Sequence, residues 1–274
     1  MKTLAPVVLA LVMVVFAIST ASATDVLGEK HWNIYGKTGW FSWSETDHGS
    51  SFIREYGPFY AVGAERASQL FDSPLSISGL IEGWGGVIYH DGHTIDNSKA
   101  VKTATMYLGT REEVMLDAKL PVPFIQNVYL DPFIGVGHKF WFRLASAELW
   151  NMLYSRIGMK ASYTTSGITA YIGGGKTIPI DTWNYVCASM LGDYTNATLK
   201  PRARQGLFLE AGAKFSSWDM SLSYEETSFE RSESVDAGKG NVSGSGSGGA
   251  TLNSGLYQPE SKTSTIWLKL SYSF

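Results

Sequence analysis

Four side chains able to hold a metal or move a proton fall in one short polar stretch: His90, Asp91, His93 and Asp96. Imidazoles and carboxylates this close can ligate a divalent cation or activate a water molecule. His90, Asp91 and His93 are therefore a candidate metal set, with an ordinary solvated loop as the plainer alternative. A second pairing, His138 with Ser155, has the chemistry of a base and a nucleophile if both side chains share one surface. The chain has no G-x-S-x-G, no H-E-x-x-H and no phosphate-binding loop. Its only cysteine, Cys187, can form no internal disulfide. The residues point to no enzyme, no cofactor and no firm metal site.

The elements that carry these groups are legible at the end of the chain. Within Thr263–Phe274, Ile266, Leu268, Leu270, Tyr272 and Phe274 fall on one side, and Thr265, Trp267, Lys269, Ser271 and Ser273 on the other. A period of two is a β-strand with one apolar face. Taken alone, such a strand also fits a soluble antiparallel sandwich. The pattern recurs upstream and predicts ten strands, over 32–43, 52–67, 75–89, 101–119, 129–144, 152–163, 168–178, 206–215, 218–231 and 263–274. Eight strands remain the alternative if the first or fourth is miscounted.

The connections sort by length. The odd ones are 45–51, 90–98, 145–151, 179–204 and 232–262; the even ones are 69–74, 120–128, 164–167 and 216–217. The two longest are odd and the two shortest are even. A soluble sandwich has no reason to segregate its loops, whereas a membrane barrel carries long loops at one end and short turns at the other.

Residues 1–23 read as an export signal: Lys2, an apolar run from Leu4 to Ile18, and a small-residue site at Ala21-Ser22-Ala23, with cleavage expected after Ala23. Residues 24–274 are then one domain. No later stretch reaches the roughly 20 apolar residues that a spanning helix needs. A mean hydropathy of −0.04 fits a barrel whose apolar residues are diluted by alternation. A net charge of −3 points to no nucleic-acid partner.

A final strand with one apolar face and an aromatic last residue resembles the closing strand of bacterial outer-membrane β-barrels. Small barrels of the OmpA/OmpW or porin kind are the nearest family in character. The resemblance implies an all-β, up-and-down antiparallel transmembrane barrel in the outer membrane of a Gram-negative cell envelope. It also implies Tyr272 and Phe274 as the assembly signal and, as partners, membrane lipid and the barrel-assembly machinery. Strand count and topology are similar to those of the omptin proteases. Their catalytic pair does not carry over, because loop 179–204 offers Asp181 and Asp193 but no histidine.

In such a barrel Leu, Ile, Val and Ala face lipid, and the lumen is expected to hold polar or small residues. Lys37, Glu65, Glu82, Arg111, Glu113, Lys139, Arg143, Arg156, Lys160, Glu210, Lys214, Glu225 and Lys269 share the inward face. Buried charges must pair, so the expected function is that of a barrel with a filled, salt-bridged interior and exposed loops. The alternative is a narrow porin-like channel, anion-favouring through its basic excess; a membrane-embedded hydrolase ranks below both. His138 is expected near the outer rim beside Phe140 and Phe142. Loops 179–204 and 232–262 are the surfaces for an extracellular partner, and Gly238–Gly249 reads as a flexible Gly/Ser segment inside the second of these.

Overall fold

The alternating segments pair with their neighbours along the chain. The computed structural model describes residues 27–71, 73–93, 100–190, 196–235 and 255–274. The strands are β1 (Leu27–Asp47), β2 (Ser50–Leu70), β3 (Leu75–His93), β4 (Ala100–Ala118), β5 (Leu120–Pro121), β6 (Val128–Arg143), β7 (Glu148–Thr165), β8 (Ile168–Val186), β9 (Ala197–Leu199), β10 (Gly206–Phe215), β11 (Trp218–Phe229) and β12 (Glu260–Ser273). β5 and β9 are short additions that pair only with β6 and β8. The other ten form an antiparallel ring, closed by β1 against β12 from Asn33↔Ser273 to Thr46↔Glu260. The count of ten holds, and the eight-strand alternative falls away. The expected export signal lies outside the described residues.

The strands run further than their alternation predicted. The expected polar break at 45–51 is a two-residue hairpin turn, His48-Gly49, with φ of 48° and 80°. A turn with two positive φ values matches the right-handed twist of the strands it joins, so β1 and β2 continue to either side of it. β1 and β2 each reach 21 residues, about twice the 9–11 that cross a bilayer. These hairpins therefore stand well beyond the hydrocarbon layer.

One end of the barrel carries connections 48–49, 94–99, 144–147, 187–205 and 230–259, and is called here the loop end; the other carries 71–74, 119–127, 166–167 and 216–217, the turn end. The outer surface is apolar between them. Val62 is 71% exposed, Ile172 66%, Leu222 56% and Leu268 47%. Aromatic groups flank this belt, with Trp40, Tyr56 and Tyr89 on the loop side and Trp218, Tyr272 and Phe274 on the turn side. Water does not tolerate an apolar band that encircles a whole domain. Hydrocarbon does, provided every backbone group is paired, and closure of the sheet achieves that pairing. No described helix is long and apolar enough to cross a membrane; the strands do so.

Candidate functional site

The lumen is stratified, and β1, β6 and β7 repeat the same order of layers. Along β1, from the loop end, the inward residues are Glu45, Trp43, Phe41, Gly39, Lys37 and Tyr35. Along β6 they are Arg143, Trp141, Lys139 and Gly137, and along β7 Glu148, Trp150, Met152, Tyr154, Arg156 and Gly158. A charged cap, an aromatic layer and an ion-pair lattice follow one another into the barrel.

The cap is built around Arg143, which is 0% exposed. Its Nη1 donates to Glu45 (2.8 Å) and Glu148 (2.7 Å), and its Nη2 to Glu55 (3.1 Å). Its guanidinium lies 4.5 Å from the Trp43 ring centroid. The same carboxylates take further donors. Trp43 donates to Glu45 (2.8 Å), Trp150 to Glu148 (2.7 Å) and the Tyr107 hydroxyl to Glu55, and His90 Nδ1 lies 2.6 Å from Glu55. Extra donors of this kind help to make a buried ionic group tolerable. Of this cap only Arg143 was expected inside. Glu45, Glu55 and Glu148 remove the basic excess that the sequence-derived set shows. Their signal was available, since Glu45 continues the parity of Lys37, Phe41 and Trp43.

Beneath the cap, Phe41, Phe59, Tyr107, Trp141, Trp150, Phe229 and Trp267 form one buried cluster. Phe41 stacks on Phe59 at 4.3 Å, and Trp141 on Trp150 at 5.3 Å. This corrects the expectation of a polar or small-residue interior. A closed barrel of about ten strands is barely wider than its side chains. At this level the strands fill it with rings, whose burial is worth more than that of confined polar groups. A small cavity of about 70 Å³ lies between these rings and the charged layer below, walled by Phe41, Phe59, Trp84 and Trp267 and floored by Glu82, Arg111, Lys139 and Glu225.

In the lattice, Glu225 accepts from Arg111 (3.0 Å), Lys139 (2.9 Å) and Arg156 (3.1 Å). Glu113 accepts from Arg111 (3.2 Å) and Arg156 (3.3 Å), and Lys37 meets Glu82 at 2.5 Å. β11 thus supplies the acid for cations on β4, β6 and β7, which ties opposite walls together. Tyrosines close the remaining acceptors: Tyr35 donates to Glu82 (2.9 Å), Tyr154 to Glu113 (2.7 Å) and, nearer the turn end, Tyr171 to Asp219 (2.9 Å). Each of these rings lies across a glycine of a neighbouring strand, at Gly63, Gly137 and Gly212 respectively, where a Cβ would strike it. These three inward glycines are therefore seats for tyrosine rings, as edge glycines are covered by aromatics elsewhere in β-sheets.

Other expected inward charges lie nearer the turn end. Lys160 approaches Asp131 at 3.9 Å, Glu210 accepts from Ser221 at 2.9 Å, and Lys269 stands 5.4 Å from the Tyr35 ring. Glu65 is half-buried, and Lys214 is exposed beside the Phe215–Trp218 turn.

The candidate metal set does not assemble. His90 is not in a loop but on β3, buried against Glu55, while Asp91 faces outward and pairs with Lys102 at 3.5 Å. Successive strand residues point to opposite faces, so these two cannot share an ion. No group of three or more metal-ligating side chains occurs among the described residues; Asp96 lies outside them. His138 is not an exposed interfacial side chain either. It is 5% exposed, with Nδ1 3.2 Å from Glu112 and Nε2 3.2 Å from Asn151. Ser155, its suggested nucleophile, instead donates to the Ile178 carbonyl at 3.4 Å.

The two long loops meet at the loop end. Val186, Ala188, Ala197, Leu199 and Leu256 form a second apolar cluster, and Asn184 donates to Gln258 at 3.0 Å. Tyr257 donates to Asp47 at 2.8 Å under the Arg231 guanidinium; burial, with the Asp47 carboxylate, pushes its phenol above the usual tyrosine range. Cys187 is a half-buried free thiol. The Gly/Ser segment and Asp193 lie outside the described residues. At the barrel seam, Trp32 and Phe274 exchange backbone hydrogen bonds of 3.1 and 2.9 Å, and Phe274 is 64% exposed.

No family model matches the chain, and no curated protein matches it. Among solved structures it is similar to the translocator domain of autotransporter NalP from Neisseria meningitidis, at 9% identity over 99% of this chain and 97% of that one, with a TM-score of 0.47. It is also similar to the outer membrane protease OmpT from Escherichia coli (10% identity, 89% and 96% coverage, TM-score 0.46). A third is the outer membrane protein OprG from Pseudomonas aeruginosa (10% identity, 91% and 98% coverage, TM-score 0.33).

Proposed function

We propose that this chain is a bacterial outer-membrane β-barrel whose lumen is closed by its own side chains and which acts through its loop end, as a structural and surface-interaction protein rather than an open pore. The observation that carries the reading is the sequence of two filled layers. Arg143 with its three carboxylates caps the lumen, and the ring cluster from Phe41 to Trp267 plugs it immediately below. An ion entering from the loop end meets a buried cation held by three carboxylates and then an apolar plug, both of which exclude water.

The loop end faces outward in this reading. Residues 179–204 and 232–262 present the partner surface, and their mutual packing through Leu199 and Leu256 gives that surface a fixed base. Residues 1–23 direct export and are removed after Ala23. Tyr272 and Phe274, exposed at the end of β12, address the chain to the assembly machinery.

Single-channel recording in planar bilayers tests the closed lumen. The wild-type barrel is expected to give no steady conductance steps. A variant that opens both layers, Arg143→Ala together with Phe41→Ala/Phe59→Ala/Trp267→Ala, and still shows a heat-modifiable band is expected to give them. Steady steps from the wild type would instead favour the narrow-channel reading.

A further inference from the structure

We propose that the barrel wall has a built-in opening at its loop end, between residues 178–183 of β8 and residues 200–205, and that this opening takes an extended peptide of alternating apolar and acidic residues as an added strand. The proposal rests on the surface-interaction reading above and names the chemistry of the partner that residues 179–204 receive.

The opening follows from the ladders. β8 pairs with β10 up to Thr177↔Gly206, and with β9 from Asn184↔Leu199 onward. Six residues lie between these two pairs on either side, so the register is the same above and below. Among the described residues, no ladder or backbone hydrogen bond joins 178–183 to 200–205. Two features keep the lips apart. Pro179 and Pro201 have no N–H to give to a ladder. β8 is also bulged here, where its register with β7 shifts between Leu153 and Tyr154, and a bulge bends the strand that carries it. Both lips line a space of about 670 Å³. Spread along the roughly 20 Å that six strand residues span, that volume is about 6 Å across, more than the about 4.8 Å by which one added strand widens a sheet.

The lips define the occupant by backbone, by apolar contact and by charge. The Glu230 N–H donates to the Arg202 carbonyl (2.8 Å) and the Arg204 N–H to the Ser228 carbonyl (2.7 Å), on either side of the Ala203↔Phe229 bridge. Ala203 therefore turns its own N–H and C=O away from β11 and into the opening. Such an edge binds an extended backbone. The inner side is apolar, because Ala203 packs on the ring cluster that contains Phe229. The outer side is basic. Lys200, Arg202 and Arg204 are exposed on one lip, and Arg204 is held by Glu230 at 3.1 Å. Lys200 and Arg202 make no ion pair among the described residues, and Asp181 on the other lip is one acid against these two cations. They favour acidic side chains on the outer face of the peptide. β8 starts at Ile168 on the turn side, and about 9–11 residues cross a bilayer, so 178–183 stands in water. Unpaired edges are tolerated there, and a peptide can reach them.

The test is fluorescence anisotropy of a labelled Val-Glu-Val-Glu-Val-Glu peptide titrated with the folded barrel in detergent. Saturable binding is expected. The same peptide with every second backbone nitrogen methylated cannot donate to one lip, and it should bind at least about tenfold more weakly, the factor for one or two lost hydrogen bonds. A Val-Lys peptide of the same length should also bind more weakly than the Val-Glu peptide. Lys200→Glu/Arg202→Glu, checked for its heat-modifiable band, should reverse the preference between the two. No saturable binding of the Val-Glu peptide below about 1 mM would overturn the proposal. Equal binding of the methylated peptide would do so too, as would an unchanged preference in the charge-reversed barrel. Such a failure leaves the wild-type barrel silent in bilayers, whereas failure of the closed-lumen reading gives conductance steps whether or not the peptide binds.

Discussion

Changing Arg143 to Met removes the one cation from a pocket where three carboxylates converge at 2.7–3.1 Å. Methionine can keep packing beside Trp43 and Tyr107, so the loss is mostly electrostatic. Glu45, Glu55 and Glu148 retain their Trp, Tyr and His donors, but they then repel one another with no guanidinium between them. Breaking a buried pair by removing one partner costs about 3–5 kcal/mol. For a chain near this length, 1 kcal/mol moves the melting midpoint by about 2–4 °C, so a fall of about 6–20 °C is expected. The assay is the temperature at which the folded, fast-migrating band converts to the unfolded one on a detergent gel. Adding Glu45→Gln and Glu148→Gln to the Met variant should recover part of the fall, because amides satisfy the same donors without the charge. A midpoint within about 2 °C of wild type, or no recovery in the triple variant, would refute the cap as the barrel's main ionic fastening.

Two further substitutions separate the outer belt from the inner seats. Leu268→Arg places a charge in the lipid-facing belt of β12, and the mutant should lose about 2–4 kcal/mol in denaturant titrations of vesicle-folded protein if Leu268 lies near the midplane. Gly63→Val drives a side chain into the Tyr35 ring and its hydrogen bond to Glu82, and should sharply reduce the folded fraction. Gly83→Ala, on the open outer face, should leave that fraction unchanged in the same assay.

The barrel was legible because lipid and lumen impose opposite demands on successive residues. Lys37, Glu82, Arg111 and Glu225 could be assigned to the inner face without any knowledge of their partners. The aromatic plug was not legible for the same reason. Phe41, Trp141 and Trp267 share the polar parity, but alternation reports only which face a residue occupies, not how wide the space there is. His90 and Glu45 were missed because a run of polar residues resembles a loop when the strand rises past the apolar belt. There both faces turn polar and the period-two signal fades, although the backbone pairing continues to the His48-Gly49 turn. Glu112 and Asn151 were missed on different grounds. Either would pass for an ordinary solvated polar residue, and only the ladder register brings both to the nitrogens of His138.

The account depends on what solvent meets Val62, Ile172, Leu222 and Leu268. The direct measurement is the state of purified residues 24–274 after detergent is withdrawn, followed by light scattering and by the heat-modifiable band. Aggregation in plain buffer, with recovery of the band only when vesicles or detergent are supplied, is the predicted result. A monomer that keeps its β-structure in buffer without either would contradict it.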